Sequence, residues 1–160
     1  MKLYVVRHGK AAPAETTDEE RPLTSEGIAE IQLLGAKLKT ENIIFDHVFV
    51  SPYKRTQQTF RHLKNHAGIS NNAETVDALI PESNVEAVLD LLRSCKHNAS
   101  ILIISHQPLV STLASVLIDG NSRAAFQYPM QPGSCASLEV FAADKACSRL
   151  LRLIDPPFYQ

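Results

Sequence analysis

Ile101-Leu102-Ile103-Ile104, followed at once by Ser105-His106-Gln107-Pro108, is the stretch on which the fold turns. Four aliphatic residues without a polar break suit a central strand covered on both faces, as in a parallel sheet. Pro108 suits the first turn of a helix reaching about Ile118. Working outward, Leu3-Tyr4-Val5-Val6 is a second short apolar run, and it stops abruptly at Arg7-His8-Gly9. Asp46-His47-Val48-Phe49-Val50-Ser51 is a third, stopped by Pro52. Helical spacing falls between them. Thr24 is a good N-cap for Ser25 to about Thr40, with Ile28, Ile31, Leu34 and Leu38 on one face. Lys54 to about Ala67 is a helix closed by Gly68, and Val85, Val88, Leu89 and Leu92 follow Asn84 as cap. A short strand is expected within 74–80. Ser137 to Phe141 and Arg149 to Leu153 are expected as a final hairpin, with Pro156-Pro157 ending the fold.

Alternating buried strands and amphipathic helices imply an α/β fold. The expected form is a three-layer sandwich, a mostly parallel central sheet of about six strands with helices on both faces. At 160 residues the chain is read as a single domain over 1–160. It is 44% hydrophobic and 21% charged, with formal net charge −1, which argues against a nucleic-acid partner. The start lacks the apolar core of a signal peptide, and no apolar run approaches the roughly 18–20 residues of a membrane span. Cys95, Cys135 and Cys147 are odd in number and widely spaced, which suits a reduced compartment. The chain is therefore read as cytoplasmic, monomeric and independent of membranes.

In open α/β sheets, ligands bind outside the carboxyl ends of the strands. Three polar clusters stand there: Arg7-His8-Gly9, Ser51-Pro52-Tyr53-Lys54-Arg55 and Ser105-His106-Gln107-Pro108. Together they offer two imidazoles and two guanidinium forks. Arg21, from the polar loop of residues 10–22, is a further candidate. Such forks match phosphate oxygens in bidentate fashion. Helix starts add backbone N–H groups, and Gly9 lets the backbone approach a ligand. The pocket therefore suits a phosphoryl group. His8 is assigned as nucleophile, needing a partner to fix its tautomer, and a protonated His106 as stabiliser of the transferring group. Ser51 and Ser105 read as caps. Zinc held by His8 and His106 is a poor alternative, because the arginines repel a cation and a third ligand is lacking. No metal and no cofactor are expected.

These motifs, together with Leu23-Thr24-Ser25-Glu26-Gly27 and Thr56-Gln57-Gln58-Thr59, resemble the histidine phosphatase (phosphoglycerate mutase-like, RHG) superfamily over about residues 3–118. The length and Arg21-Pro22-Leu23-Thr24 look most like its SixA subfamily of phosphohistidine phosphatases. The resemblance implies a phosphoglycerate mutase-like fold and a phospho-accepting His8. It implies a phosphate pocket of Arg7, Arg55 and His106, with Arg21 as a subfamily addition. It implies a phosphorylated histidine in a phosphotransfer protein as substrate. Mutases of the family carry an acidic proton donor, and Glu82 lies near where it would fall; the alternative is a surface residue. Lys10-Ala11-Ala12 follows the RHG triplet in place of the Asn or acid of the mutases. A weak general acid favours a P–N bond over a P–O bond, because an imidazole leaves more easily than an alkoxide. A general phosphomonoesterase and a non-catalytic phosphohistidine-binding module are the alternatives.

Overall fold

The computed structural model describes residues 1–157. In chain order it runs β1 (Lys2–Arg7), α1 (Ser25–Lys39), β2 (His47–Val50), α2 (Lys54–Ala67), β3 (Glu74–Thr75), α3 (Val85–Arg93), β4 (Ser100–Ser105), α4 (Leu109–Asp119), β5 (Cys135–Val140) and β6 (Ser148–Ile154). The strands form one sheet in the order β3-β2-β4-β1-β5-β6. β1, β2, β3 and β4 are parallel, and β5 and β6 are antiparallel additions. Register brings the ends of three strands level: Arg7 lies opposite Ser105, and Val50 opposite Ile104. The sandwich expected from the sequence is the one found.

Two cores form because side chains alternate across the sheet. Leu3, Val5, Ile101 and Ile103 face α3 and α4; Tyr4, Val6, Leu102 and Ile104 face α1 and α2. All four aliphatic residues of β4 have no exposed surface. Each such burial stabilises the fold by about 1.5–3 kcal/mol. Thr24 caps α1 by accepting from the Gly27 N–H at 3.0 Å, and Asn84 caps α3 by accepting from Ala87 N–H. Gly68 ends α2 with φ +72°, a left-handed value that glycine adopts without strain.

Three details differ from the sequence expectation. The strand sought within 74–80 is only Glu74–Thr75, and a 3₁₀ turn over Asp77–Leu79 follows because it sinks Leu79 fully into the core. Pro108 stands at the N-cap of α4, one place before the first helical residue. The hairpin strands begin earlier than expected, at Cys135 and Ser148, since β5 pairs with nearly the whole of β1. Among the described residues no helix is long and apolar enough to cross a membrane.

Candidate active site

His8 leaves the end of β1 with its main-chain N–H bonded to the Ser105 carbonyl, so β4 fixes the start of the loop. Its ring Nδ1 lies 2.7 Å from the Gly9 carbonyl oxygen. A carbonyl only accepts, so the proton sits on Nδ1 and Nε2 is the unprotonated nitrogen. This is the tautomer-fixing partner that the sequence leaves open. Burial lowers the His8 pKa to about 4, with Arg55, Arg7 and Arg21 adding repulsion against the Gly9 bond. The His8 ring is thus uncharged at neutral pH.

Arg55 is buried in the first turn of α2. Its Nε donates to His8 Nε2 at 3.2 Å, touching the very atom assigned to attack. Its other edge is held by Asp18, with Nη1 to the main-chain oxygen at 2.6 Å and Nη2 to Oδ2 at 2.9 Å. Asp18 Oδ1 also accepts from Arg21 Nη1 at 3.0 Å. One carboxylate therefore ties together two of the predicted phosphate-binding guanidiniums. Those contacts hold it ionised, with a lowered pKa in which the Arg21 bond is the largest cause. Nothing beside Arg21 in the sequence singles out Asp18 over Glu19 or Glu20 as its partner. Glu20 pairs with Lys54 instead, and Arg21 Nε donates to the Ala12 carbonyl.

His106 begins the turn after β4, 1% exposed, with its ring 5.2 Å from that of His8. Its Nε2 lies 2.7 Å from Ser51 Oγ, so Ser51 orients this ring as well as standing before α2. Burial, then His8 and Arg55, lower its pKa to about 3. The protonated His106 expected from the sequence is therefore a neutral ring here, since a cation would be buried among cations. Ser51 Oγ already accepts from the Tyr53 N–H and His106 is the acceptor within its reach, so its hydroxyl donates to Nε2 and Nδ1 carries the proton. That Nδ1 and Arg7 Nε are buried without a hydrogen-bond partner among the described residues. Buried donors are normally satisfied, so this pair points to an acceptor supplied from outside. Arg7 is anchored by Nη1 donating to the Met130 carbonyl at 2.7 Å.

Gly9 and Glu82 each make contacts that the sequence leaves open. A Cβ on Gly9 would lie 2.9 Å from Ile31 Cγ1, so its bare Cα allows close packing on α1. Its main chain still serves the site, through the carbonyl on His8 and an N–H to Thr59 Oγ1. Glu82 is exposed and accepts from the Tyr53 hydroxyl at 3.0 Å. The Tyr53 ring stands edge-on to His106 at 5.1 Å and beneath the Arg55 guanidinium at 4.9 Å. Burial and Glu82 push the Tyr53 hydroxyl up to about 12. Glu82 thus reaches the imidazoles only through Tyr53.

Comparison with known proteins gives consistent relatives. The family model of the histidine phosphatase superfamily (branch 1) matches residues 3–80. Phosphohistidine phosphatase SixA of Escherichia coli is 31% identical over 152 residues, covering 82% of this chain and 94% of its own. A SixA homolog of Haemophilus influenzae is 32% identical over 139 residues, covering 81% and 84%. The solved structure of the protein histidine phosphatase SixA complexed with tungstate superposes with TM-score 0.88 at 29% identity over the whole of both chains. The family model spans the segments that carry Arg7, His8 and Arg55, and the likeness to SixA covers 82% of the chain at 31% identity, and on that ground this chain belongs to the histidine phosphatase superfamily, with SixA phosphatases among its relatives.

Proposed function

We propose that the protein is a phosphohistidine phosphatase that works through a phospho-His8 intermediate. The observation that carries this reading is the pair of buried, unpartnered nitrogens, Arg7 Nε and His106 Nδ1, beside an imidazole whose Nε2 is unprotonated. An oxyanion satisfies both donors, and an uncharged Nε2 can attack its phosphorus.

His8 Nε2 attacks in line as the P–N bond to the substrate imidazole breaks. The electron pair of that bond stays on the departing nitrogen, which takes a proton from solvent. Arg55 Nε, which donates to the His8 lone pair at rest, turns its N–H to a phosphoryl oxygen once that pair has become the new N–P bond. Arg7 and Arg55 neutralise the equatorial oxygens as charge spreads over them, and the uncharged His106 ring donates its N–H to one of them. Water then attacks the phosphorus of phospho-His8, inorganic phosphate leaves, and the neutral ring returns. The substrate fitting this scheme is a phosphorylated histidine on a phosphotransfer protein, as the SixA relatives' name suggests.

Incubation with a ³²P-labelled phosphotransfer protein tests the reading. Wild type carries acid-labile label during turnover; His8→Ala carries none and loses at least a thousandfold in rate. Release of phosphate by His8→Ala at the wild-type rate defeats the assignment. A broader phosphomonoesterase is the second reading, favoured by the Glu82–Tyr53 contact beside His106. Under it, Glu82→Gln slows aryl phosphate hydrolysis tenfold or more and spares the phosphoprotein. Equal rates for both substrates remove Glu82 as proton donor.

A further inference from the structure

Helix α2 has an unusual charge distribution. Its sequence is KRTQQTFRHLKNHA, four Lys or Arg in fourteen residues and not one carboxylate, in a chain whose net charge is −1. Arg55 is spent on the active site. The other three cations, Lys54, Arg61 and Lys64, line one surface groove of about 470 Å³ with Gln57 and the half-buried Phe60. The groove contains no acidic residue. Lys64 Nζ lies 5.8 Å above the Phe60 ring and donates to Asn72, and Lys54 lies 3.6 Å from Glu20. Neither Arg61 nor Lys64 meets a carboxylate among the described residues. Of the exposed arginines elsewhere, Arg93 is compensated by Glu86 and Asp90, Arg149 by Glu139 and Arg152 by Glu41, and Arg123 alone meets no carboxylate among the described residues.

Direction along the helix gives this face a use. Lys54 adjoins Arg55, whose guanidinium touches His8 Nε2, so the groove begins one residue along the helix from an active-site side chain. From Lys54 to Lys64 it runs about 15 Å away along the helix axis, at 1.5 Å per residue. That span exceeds a phosphohistidine side chain and matches a stretch of protein surface around it. We infer that this face of α2 is the docking surface for the phosphohistidine-bearing protein, taking an acidic segment that flanks the phosphorylated histidine. The inference rests on the function proposed above. Complementary charge at a rim speeds encounter and sets register more than it adds affinity. A nucleic acid fits the face less well, because Phe60 is half-buried and leaves no aromatic platform for bases.

The test compares wild type with Arg61→Glu/Lys64→Glu, whose melting temperature serves as the folding control. Phosphoimidazole probes the chemistry alone. A phosphotransfer domain with acidic residues beside its histidine probes docking, together with a version in which those acids are Gln. The double variant is expected to lose about tenfold or more in kcat/KM on the acidic phosphodomain and to stay within twofold of wild type on phosphoimidazole. The Gln version removes most of the difference between the two enzymes, and added salt lowers the wild-type rate more steeply than the variant's. An unchanged rate on the acidic phosphodomain, or a parallel fall on phosphoimidazole, overturns the proposal, as does an RNA oligomer that displaces the domain from wild type at lower concentration. Titration of unphosphorylated domain onto each protein reads docking without turnover. A wild type that binds but hydrolyses neither substrate therefore refutes the catalytic reading alone, and equal binding by both proteins refutes the docking face.

Discussion

At the scale of single residues, the site is organised by groups that do no chemistry themselves. Asp18 holds the far edge of Arg55 and, through the same carboxylate, Arg21. Asp18→Asn keeps the shape and one acceptor oxygen but removes the charge. A hydrogen bond to a charged group contributes about 1.5–3 kcal/mol, so kcat/KM on a phosphohistidine substrate should fall about tenfold or more. A rate within twofold of wild type would remove Asp18 from the support of Arg55. This residue was illegible in the sequence because nothing local marks it; it lies in a polar loop beside two glutamates that look equally suitable. His8, Arg55 and His106 were legible because each follows a buried strand, and strand ends are where a parallel sheet gathers polar groups. The charge of His106 was not legible. Ring protonation depends on burial and on cations brought from other segments, and neither is written beside the residue.

At the scale of elements, long apolar and amphipathic runs were legible and short or context-bound ones were not. β4 announces itself by four consecutive aliphatic residues, whereas β3 is two exposed residues paired only to β2. The early start of β5 reflects a partner strand, which no local pattern encodes. The packing of α1 on the loop after β1 was also hidden, although Gly27 carries it. A Cβ there would lie 2.7 Å from Lys10 N and closer still to the Lys10 carbonyl oxygen. Backbone cannot yield as a flexible side chain does. Gly27→Ala is therefore expected to destabilise the fold by about 2 kcal/mol or more and to lower turnover by displacing the Gly9 carbonyl from His8. Urea denaturation with a rate assay checks both; a wild-type midpoint with wild-type turnover would show that the contact relaxes freely.

For the molecule as a whole, the two buried imidazoles tie folding to pH. In the unfolded chain they take up protons near pH 6.5; in the fold they do so only near 4 for His8 and 3 for His106. Between those values the unfolded state binds more protons, so stability is highest above pH 6.5 and falls as the medium is acidified. Two such groups give a slope of about 2–3 kcal/mol per pH unit in the steep part of that window. His8→Gln should roughly halve it, measured by urea denaturation at pH 7, 6 and 5. A stability that is flat from pH 7 to 5 would contradict the burial argument.

The strand order has a consequence for how the protein is made. β1 and β2 are translated first, yet they never touch, because β4 lies between them. A nascent chain that has emerged as far as α3 holds β1 and β2 with an empty slot between them in the sheet, bridged on one face by α1 and α2 alone. Only when the Ile101–Ile104 segment leaves the ribosome and slots into the gap does the sheet close and His106 reach the site, so hydrolytic competence should arrive late and all at once during synthesis.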